Sequence, residues 1–241
     1  KNDLFEQKLF AILRQRFLPH TIFNILPSLL QTHLKLLLWA YIDCYICPMD
    51  SLVKENYLKA LFSLSNDKGE VNVNELSKRL GVKMPSATNM IKKLAEKKLV
   101  HYEKYKPVRL TEKGRNEAMH IIRKHRLTEM FLVEIMGFGW EEVHDIAEQI
   151  EHVKSPIFFK KMDEILRYPS FDPHGPPIPD INGNIQGKQY YKLSECVKGQ
   201  KVIFKAVESS SEEFLKFLNN KSLSLETKIE VISVEPFDGS L

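Results

Sequence analysis

Cysteine is scarce in this chain, with three residues among 241. That is too few for a disulfide framework, so a reducing, cytoplasmic setting is expected. Two of the three, Cys44 and Cys47, form a CYIC pair, but no second pair completes a zinc site and no thioredoxin-like pattern follows. A long uninterrupted apolar run is also lacking. The stretch from Thr21 to Cys47 is rich in Leu and Ile, yet Pro27, Gln31, His33, Lys35 and Asp43 interrupt any span of about 20 apolar residues. No small-residue cleavage site marks a signal peptide. A composition of 43% apolar and 27% charged residues excludes the disordered and collagen-like classes. The sequence opens on Lys1, and Met49 directly precedes the first orderly amphipathic pattern. Residues 1–48 are therefore expected to be read-through of upstream sequence, an expectation that a native tryptic peptide spanning Lys35 to Lys54 would overturn.

Acidic residues are sparse where basic ones crowd. Between Lys78 and Arg126 fifteen Lys/Arg stand against four Glu, whereas Leu127 to Asp172 carries four basic and ten acidic residues. A basic block followed by an acidic one points to two partners of opposite sign.

The basic block has a readable layout. Tyr57, Leu58, Leu61, Phe62 and Leu64 fall at helical spacing and end in the turn NDKGEV. VNVNELSKRLGV follows as a second helix, with Asn74 as its expected N-cap, Leu76 and Leu80 facing inward and Gly81 supplying the turn. A third helix opens at Pro85 and Ser86 and buries Met90 or Ile91 with Leu94, leaving Lys92, Lys93, Lys97 and Lys98 outside. Two short helices around a Gly turn read as helix-turn-helix. LVHYEKYKPVRLT alternates on both sides of a KYKP tip, the pattern of a β-hairpin wing. In a winged helix the recognition helix enters the major groove of DNA. Pro85, Ser86, Thr88 and Asn89 are then the base-facing residues, since Asn pairs bidentately with adenine and Thr or Pro touches a thymine methyl. Lys92, Lys93, Lys104, Lys106 and Arg109 are the expected phosphate contacts.

The acidic block holds HDIAEQIEH, five proton- or metal-binding groups in nine residues. At about 100° per residue, His144, Glu148, Glu151 and His152 project within an arc of about 100°. Val143, Ile146, Ala147, Ile150 and Val153 fall on the opposite side, so the chelating face is expected to turn away from the core. In the preceding helical segment His125 and Glu129 share a face at i and i+4. Two such helices present His125, Glu129, His144, Glu148, Glu151 and His152 to one cleft. His and carboxylate donors suit Mn²⁺, Fe²⁺ or Zn²⁺, with oxygen-rich ligation favouring Mn²⁺. The bland alternative is a charged helix face held by salt bridges. Against it, clustered acids without nearby Lys or Arg repel one another unless a cation joins them.

The segments EKYKPVRLTEKGR, RKHRL, HDIAEQIEH and FDPHGPPIP, in this order and spacing, resemble the diphtheria-toxin-repressor family of metal-dependent transcriptional regulators, its manganese-transport-regulator branch above all. The resemblance runs from residue 50 to about 240. It implies a mainly α protein: residues 49–113 a winged helix-turn-helix, 114–172 a helical metal-binding and dimerisation domain, 173–188 a linker, and 189–241 a small SH3-like β-barrel that ends early. It also implies a homodimeric repressor that takes Mn²⁺, alternatively Fe²⁺, as corepressor and binds a palindromic double-stranded DNA operator of metal-uptake genes. Carried over by position, His125, Glu129 and His144 match an ancillary metal site, and Glu148, Glu151 and His152 match a primary site completed by Asn56. Two departures stand out: Asn56 replaces the usual Asp or Met, and Lys59 occupies a position where some manganese regulators have Glu. Lys59 argues against a two-manganese form of the site. Glu208, Glu212 and Glu213 are candidates for a ligand lent by the C-terminal piece.

Two other readings stay open. A metalloenzyme also builds on helical His and Glu, although the chain shows no separate base and the basic winged helix would then go unexplained. A winged-helix regulator without metal dependence is the other.

Overall fold

Three helices and a small sheet follow one another as the apolar spacing predicts. The computed structural model describes residues 51–185, 190–235 and 237. The CYIC pair and the expectations for residues 1–48 lie outside the described residues. Helix α1 covers residues 51–64 and buries Tyr57, Leu58 and Leu61. The strand β1 (Glu70–Val71) leads into α2 (Val73–Arg79), and Gly81, at φ +63°, turns the chain toward α3 (Met84–Glu96). The cap of α2 is Asn72 rather than Asn74: the extended backbone ends at Asn72, and Asn74 lies in the first turn, where its carbonyl accepts from the Ser77 hydroxyl. On α3, Ala87, Ile91 and Leu94 are buried and Met90 only partly so.

The wing is formed by β2 (Val100–His101) and β3 (Val108–Leu110), antiparallel with Val100 opposite Leu110. β1 adds to the far edge of β3, giving the order β1-β3-β2. These elements share one core in which Leu58, Leu76, Ile91, Leu94 and Val108 meet Ala118 and Ile121. The last two belong to α4 (Glu112–Glu134), the 23-residue helix that continues from the wing. Thr111 caps it, its hydroxyl accepting from the Gly114 N–H at 3.0 Å while donating to the Lys98 carbonyl at 2.8 Å. Gly114 is required here, because a Cβ would lie 1.9 Å from the Leu99 carbonyl oxygen.

Past Gly137 (φ +76°), α5 (His144–Ile150) and α6 (Pro156–Ile165) fold back on α4. Leu127, Phe159 and Met162 form a second core there, with Phe131 and Ile150 against it. The Pro- and Gly-rich stretch read as a linker packs closely on α4. Arg123 donates to the Pro179 carbonyl and Arg126 to that of Pro177, each at 2.5 Å. Beyond it, a 3-10 turn (Leu193–Glu195), β4 (Lys201–Ile203), α7 (Glu212–Asn220) and β5 (Lys228–Glu230) follow, with β4 and β5 paired antiparallel. No helix among the described residues is long and apolar enough to cross a membrane.

Candidate metal centre

Helix α1 brings Glu55, Asn56 and Lys59 to one face by helical spacing, and that face meets α5. Glu55 Oε2 lies 2.7 Å from His152 Nδ1. The Lys59 ammonium donates to Glu148 Oε1 at 2.5 Å and to the two Glu151 oxygens at 2.8 and 2.9 Å. Asn56 Oδ1 is the one buried side-chain nitrogen or oxygen among the described residues without a hydrogen-bond partner. Buried polar atoms rarely stay unsatisfied in a native fold, so an orphaned amide oxygen on the helix face that meets His152, Glu148 and Glu151 is a candidate cation ligand.

Helix α4 supplies the other wall. His125 sits between two carboxylates, with Nδ1 2.6 Å from Glu151 Oε2 and Nε2 2.9 Å from Glu129 Oε1. Burial opposes charge on this imidazole, but the hydrogen bonds to Glu129 and Glu151 outweigh it and raise its pKa to about 9. Glu129 is also buried, which alone would raise it; the bonds to His125, His144 and His174 hold it well below the usual carboxylate range. His144 Nδ1 is 3.2 Å from Glu129 Oε1, and its ring meets that of His125 edge-on at 4.9 Å. Beyond Glu129 lie Asp172 and His174, both buried. His174 Nδ1 is 3.5 Å from Glu129 Oε2 and its Nε2 2.8 Å from the Trp140 carbonyl. Burial and the Glu129 charge push Asp172 up to about 6.

Among the described residues, ligand atoms converge to within 4.8 Å of one another in three overlapping groups: His125, Glu129 and His144; His125, Glu148 and Glu151; and Glu129, Asp172 and His174. The first is the set read as the ancillary site. In the second, His125 takes a place beside the two carboxylates read as primary ligands, so one imidazole serves both ends of the cluster. His152, just past α5, lies 3.6 Å from Glu151 Oε1 and faces Glu55 of α1, and Asn56 shares that face of α1.

Two expectations are corrected. Glu151 does not turn away from the packing; it is fully buried, while Val153, placed on the core side, is 39% exposed. The reason is that α1 and α4 close over that face: Glu151, still helical as the C-cap of α5, is met by Lys59 and His125. Nor do the acids lack a basic neighbour, because Lys59 reaches them from α1. Sequence reasoning missed Glu55, Asp172 and His174. Glu55 was signalled by its i, i+4 relation to Lys59; Asp172 and His174 sit in a stretch without periodicity, and their one signal was the resemblance carried by FDPHGPPIP.

On the basic side, Pro85, Ser86 and Asn89 are exposed at the start of α3 and Thr88 is half-buried. Lys92 and Lys93 follow on the exposed face of α3, and Lys104, Lys106 and Arg109 are exposed on the wing. Lys104 lies 4.7 Å from the Tyr105 ring centre at the wing tip and Lys106 pairs with Glu103 at 2.9 Å. Of the C-terminal carboxylates, Glu208 pairs with Lys192 and Glu212 with Lys216; Glu213 is exposed.

Comparison with known proteins follows the same division. Residues 51–108 match the iron-dependent repressor N-terminal DNA-binding domain. Residues 111–180 match the iron-dependent repressor metal-binding and dimerisation domain. The iron-dependent repressor IdeR of Mycobacterium tuberculosis is 32% identical over 127 residues, 53% of this chain and 55% of that protein. The chain thus spans about half the length of such relatives. The HTH-type transcriptional regulator MntR of Bacillus pumilus is 35% identical over 114 residues, 47% of this chain and 78% of MntR. A solved manganese-dependent transcriptional repressor in complex with manganese superposes with a TM-score of 0.69 at 33% identity, covering 75% of this chain and 83% of that one. With its winged helix, its three-helix metal domain and these relatives, the chain belongs to the diphtheria-toxin-repressor family of metal-dependent regulators.

Proposed function

We propose that the chain is a cytoplasmic, homodimeric repressor rather than an enzyme, and that a divalent cation, Mn²⁺ or alternatively Fe²⁺, is its corepressor in the control of metal-uptake genes. One observation carries the reading: the orphaned Asn56 oxygen is buried on α1, within the DNA-reading module, on the helix face whose Glu55 and Lys59 meet His152, Glu148 and Glu151. The donor set fits a hard or borderline cation, since it holds nitrogen and oxygen and no thiolate.

Asn56, Glu148, Glu151 and His152 would hold a metal at the primary position, and His125, Glu129 and His144 at the ancillary one, where Asp172 and His174 extend the donor set. The metal would supply a cross-link between the winged helix and the helical domain. The chain's own residues then fix the attitude of α3, which inserts Pro85, Ser86, Thr88 and Asn89 into the major groove of a palindromic operator. Lys92, Lys93, Lys104, Lys106 and Arg109 meet its phosphates. Residues 189–241 form an SH3-like element in this reading.

The test is operator binding across a series of divalent metals at fixed salt, since phosphate contacts make affinity strongly salt-dependent. The reading expects binding to require Mn²⁺ or Fe²⁺ and to disappear with chelator. A second reading, a winged-helix regulator with a purely structural polar cluster, is favoured by one observation, that Lys59 and His125 already face the carboxylates. It expects operator binding indifferent to metal.

A further inference from the structure

The Lys59 ammonium lies 2.5 to 2.9 Å from three carboxylate oxygens of Glu148 and Glu151. A divalent ion bound by carboxylates sits about 2.0–2.6 Å from the same kind of atom. The two cations therefore want the same oxygen lone pairs. Glu151 has little capacity to spare. Both of its oxygens receive Lys59, Oε2 is also bonded to His125 at 2.6 Å, and Oε1 faces His152 Nε2 at 3.6 Å. Glu148 Oε1 is similarly shared, with Lys59 at 2.5 Å and His144 Nε2 at 3.7 Å. The lysine comes from α1 and the acids from α5 and its C-cap, so the contact joins the two halves that the metal is proposed to join.

We propose that Lys59 is the resident cation of the Glu148/Glu151 pair: it holds α1 to α5 until a hard divalent ion enters, then leaves the carboxylates to that ion, and so sets the metal concentration at which the site fills. The inference rests on the metal-binding reading above and adds a residue to it. Its physical logic is charge and position together. One ammonium neutralises half of the pair's charge, and a divalent ion entering beside it would meet a like charge competing for the same oxygens in a partly buried setting, where such repulsion is less screened than in water. The Lys59 side chain is long and unbranched, and 18% of it is exposed. A rotation about its stem carries the ammonium outward without moving α1.

The experiment uses the full chain and MnCl₂ as probe, with chelator-competition titration for affinity and amine acylation with peptide mass spectrometry for Lys59 itself. The expected result is that Lys59 is labelled several-fold faster once Mn²⁺ is added, and that Glu148→Ala abolishes this metal-dependent gain. Lys59→Met is expected to bind Mn²⁺ at least tenfold more tightly; if it folds poorly by circular dichroism, Lys59→Gln serves in its place. Unchanged or slower labelling with metal, or unchanged or weaker affinity in the folded variant, overturns the inference while leaving the metal site standing. Absence of Mn²⁺ binding in the wild type and both variants removes the metal-binding reading, and the inference with it.

Discussion

His125 engages two carboxylates at once, and its pKa of about 9 against an ordinary 6.5 has a definite consequence for stability. The folded protein holds the proton more tightly than the unfolded chain. The stabilisation is therefore complete below about pH 6.5 and is lost as pH rises through about 9. A shift of this size corresponds to about 3 kcal/mol. Urea unfolding in chelator at pH 6.5 and pH 9.5 should show wild type losing that much more than His125→Gln, and an identical pH dependence in the two would sink the assignment. Glu148→Ala or His152→Ala should abolish metal-dependent operator binding while leaving the dimer folded, as gel shift and light scattering would report; unchanged Mn²⁺-dependent shifts would refute their role. At this scale His125, Glu129, His144 and Glu148 were legible because single-helix spacing brings them together. Asp172 and His174 were not, because only the fold of a Pro-rich stretch delivers them to Glu129. Lys59 was visible as a departure from the family pattern, but its ion pairs depend on how closely α1 approaches α5.

Among the elements, the joint between wing and α4 is a tight one. A methyl group at Gly114 would lie 1.9 Å from the Leu99 carbonyl oxygen and 2.9 Å from its carbon, backbone atoms that cannot swing aside. Gly114→Ala should therefore cost about 1–3 kcal/mol, as overpacking does, and chemical denaturation should show it. A loss below about 0.5 kcal/mol would mean that α4 shifts freely on the wing. The helices and the wing were legible from period and turn residues. The extent of α5 was not: HDIAEQIEH keeps a helical pattern through His152, yet the helix ends at Ile150. Glu151, the helical C-cap, still follows the wheel, and it lies buried because His125 and Lys59 close over that face.

For the whole molecule, α6 presents exposed apolar side chains that a partner could cover. Ile157 is 68% exposed, Ile165 53% and Phe158 40%, within the region matching a metal-binding and dimerisation domain. Phe158→Glu should convert the proposed dimer to monomer in analytical ultracentrifugation and weaken operator binding, since each half-site would then be bound alone. A dimer that persists would move the interface elsewhere. The unusual length of α4 gives that assembly a mechanical character. The helix starts at the wing, where Thr111 and Gly114 fasten it to Lys98 and Leu99, and reaches His125 about 20 Å further on at 1.5 Å per residue. In the proposed function it is a lever arm, with the cluster on its C-terminal half and the wing clamped at its start. A tilt of about 5° about the His125 end moves the wing by nearly 2 Å, far beyond the tolerance of about 0.5 Å within which a binding constellation must be held. A rearrangement of a few tenths of an ångström among carboxylates is thereby geared up to the scale at which a groove is either entered or missed.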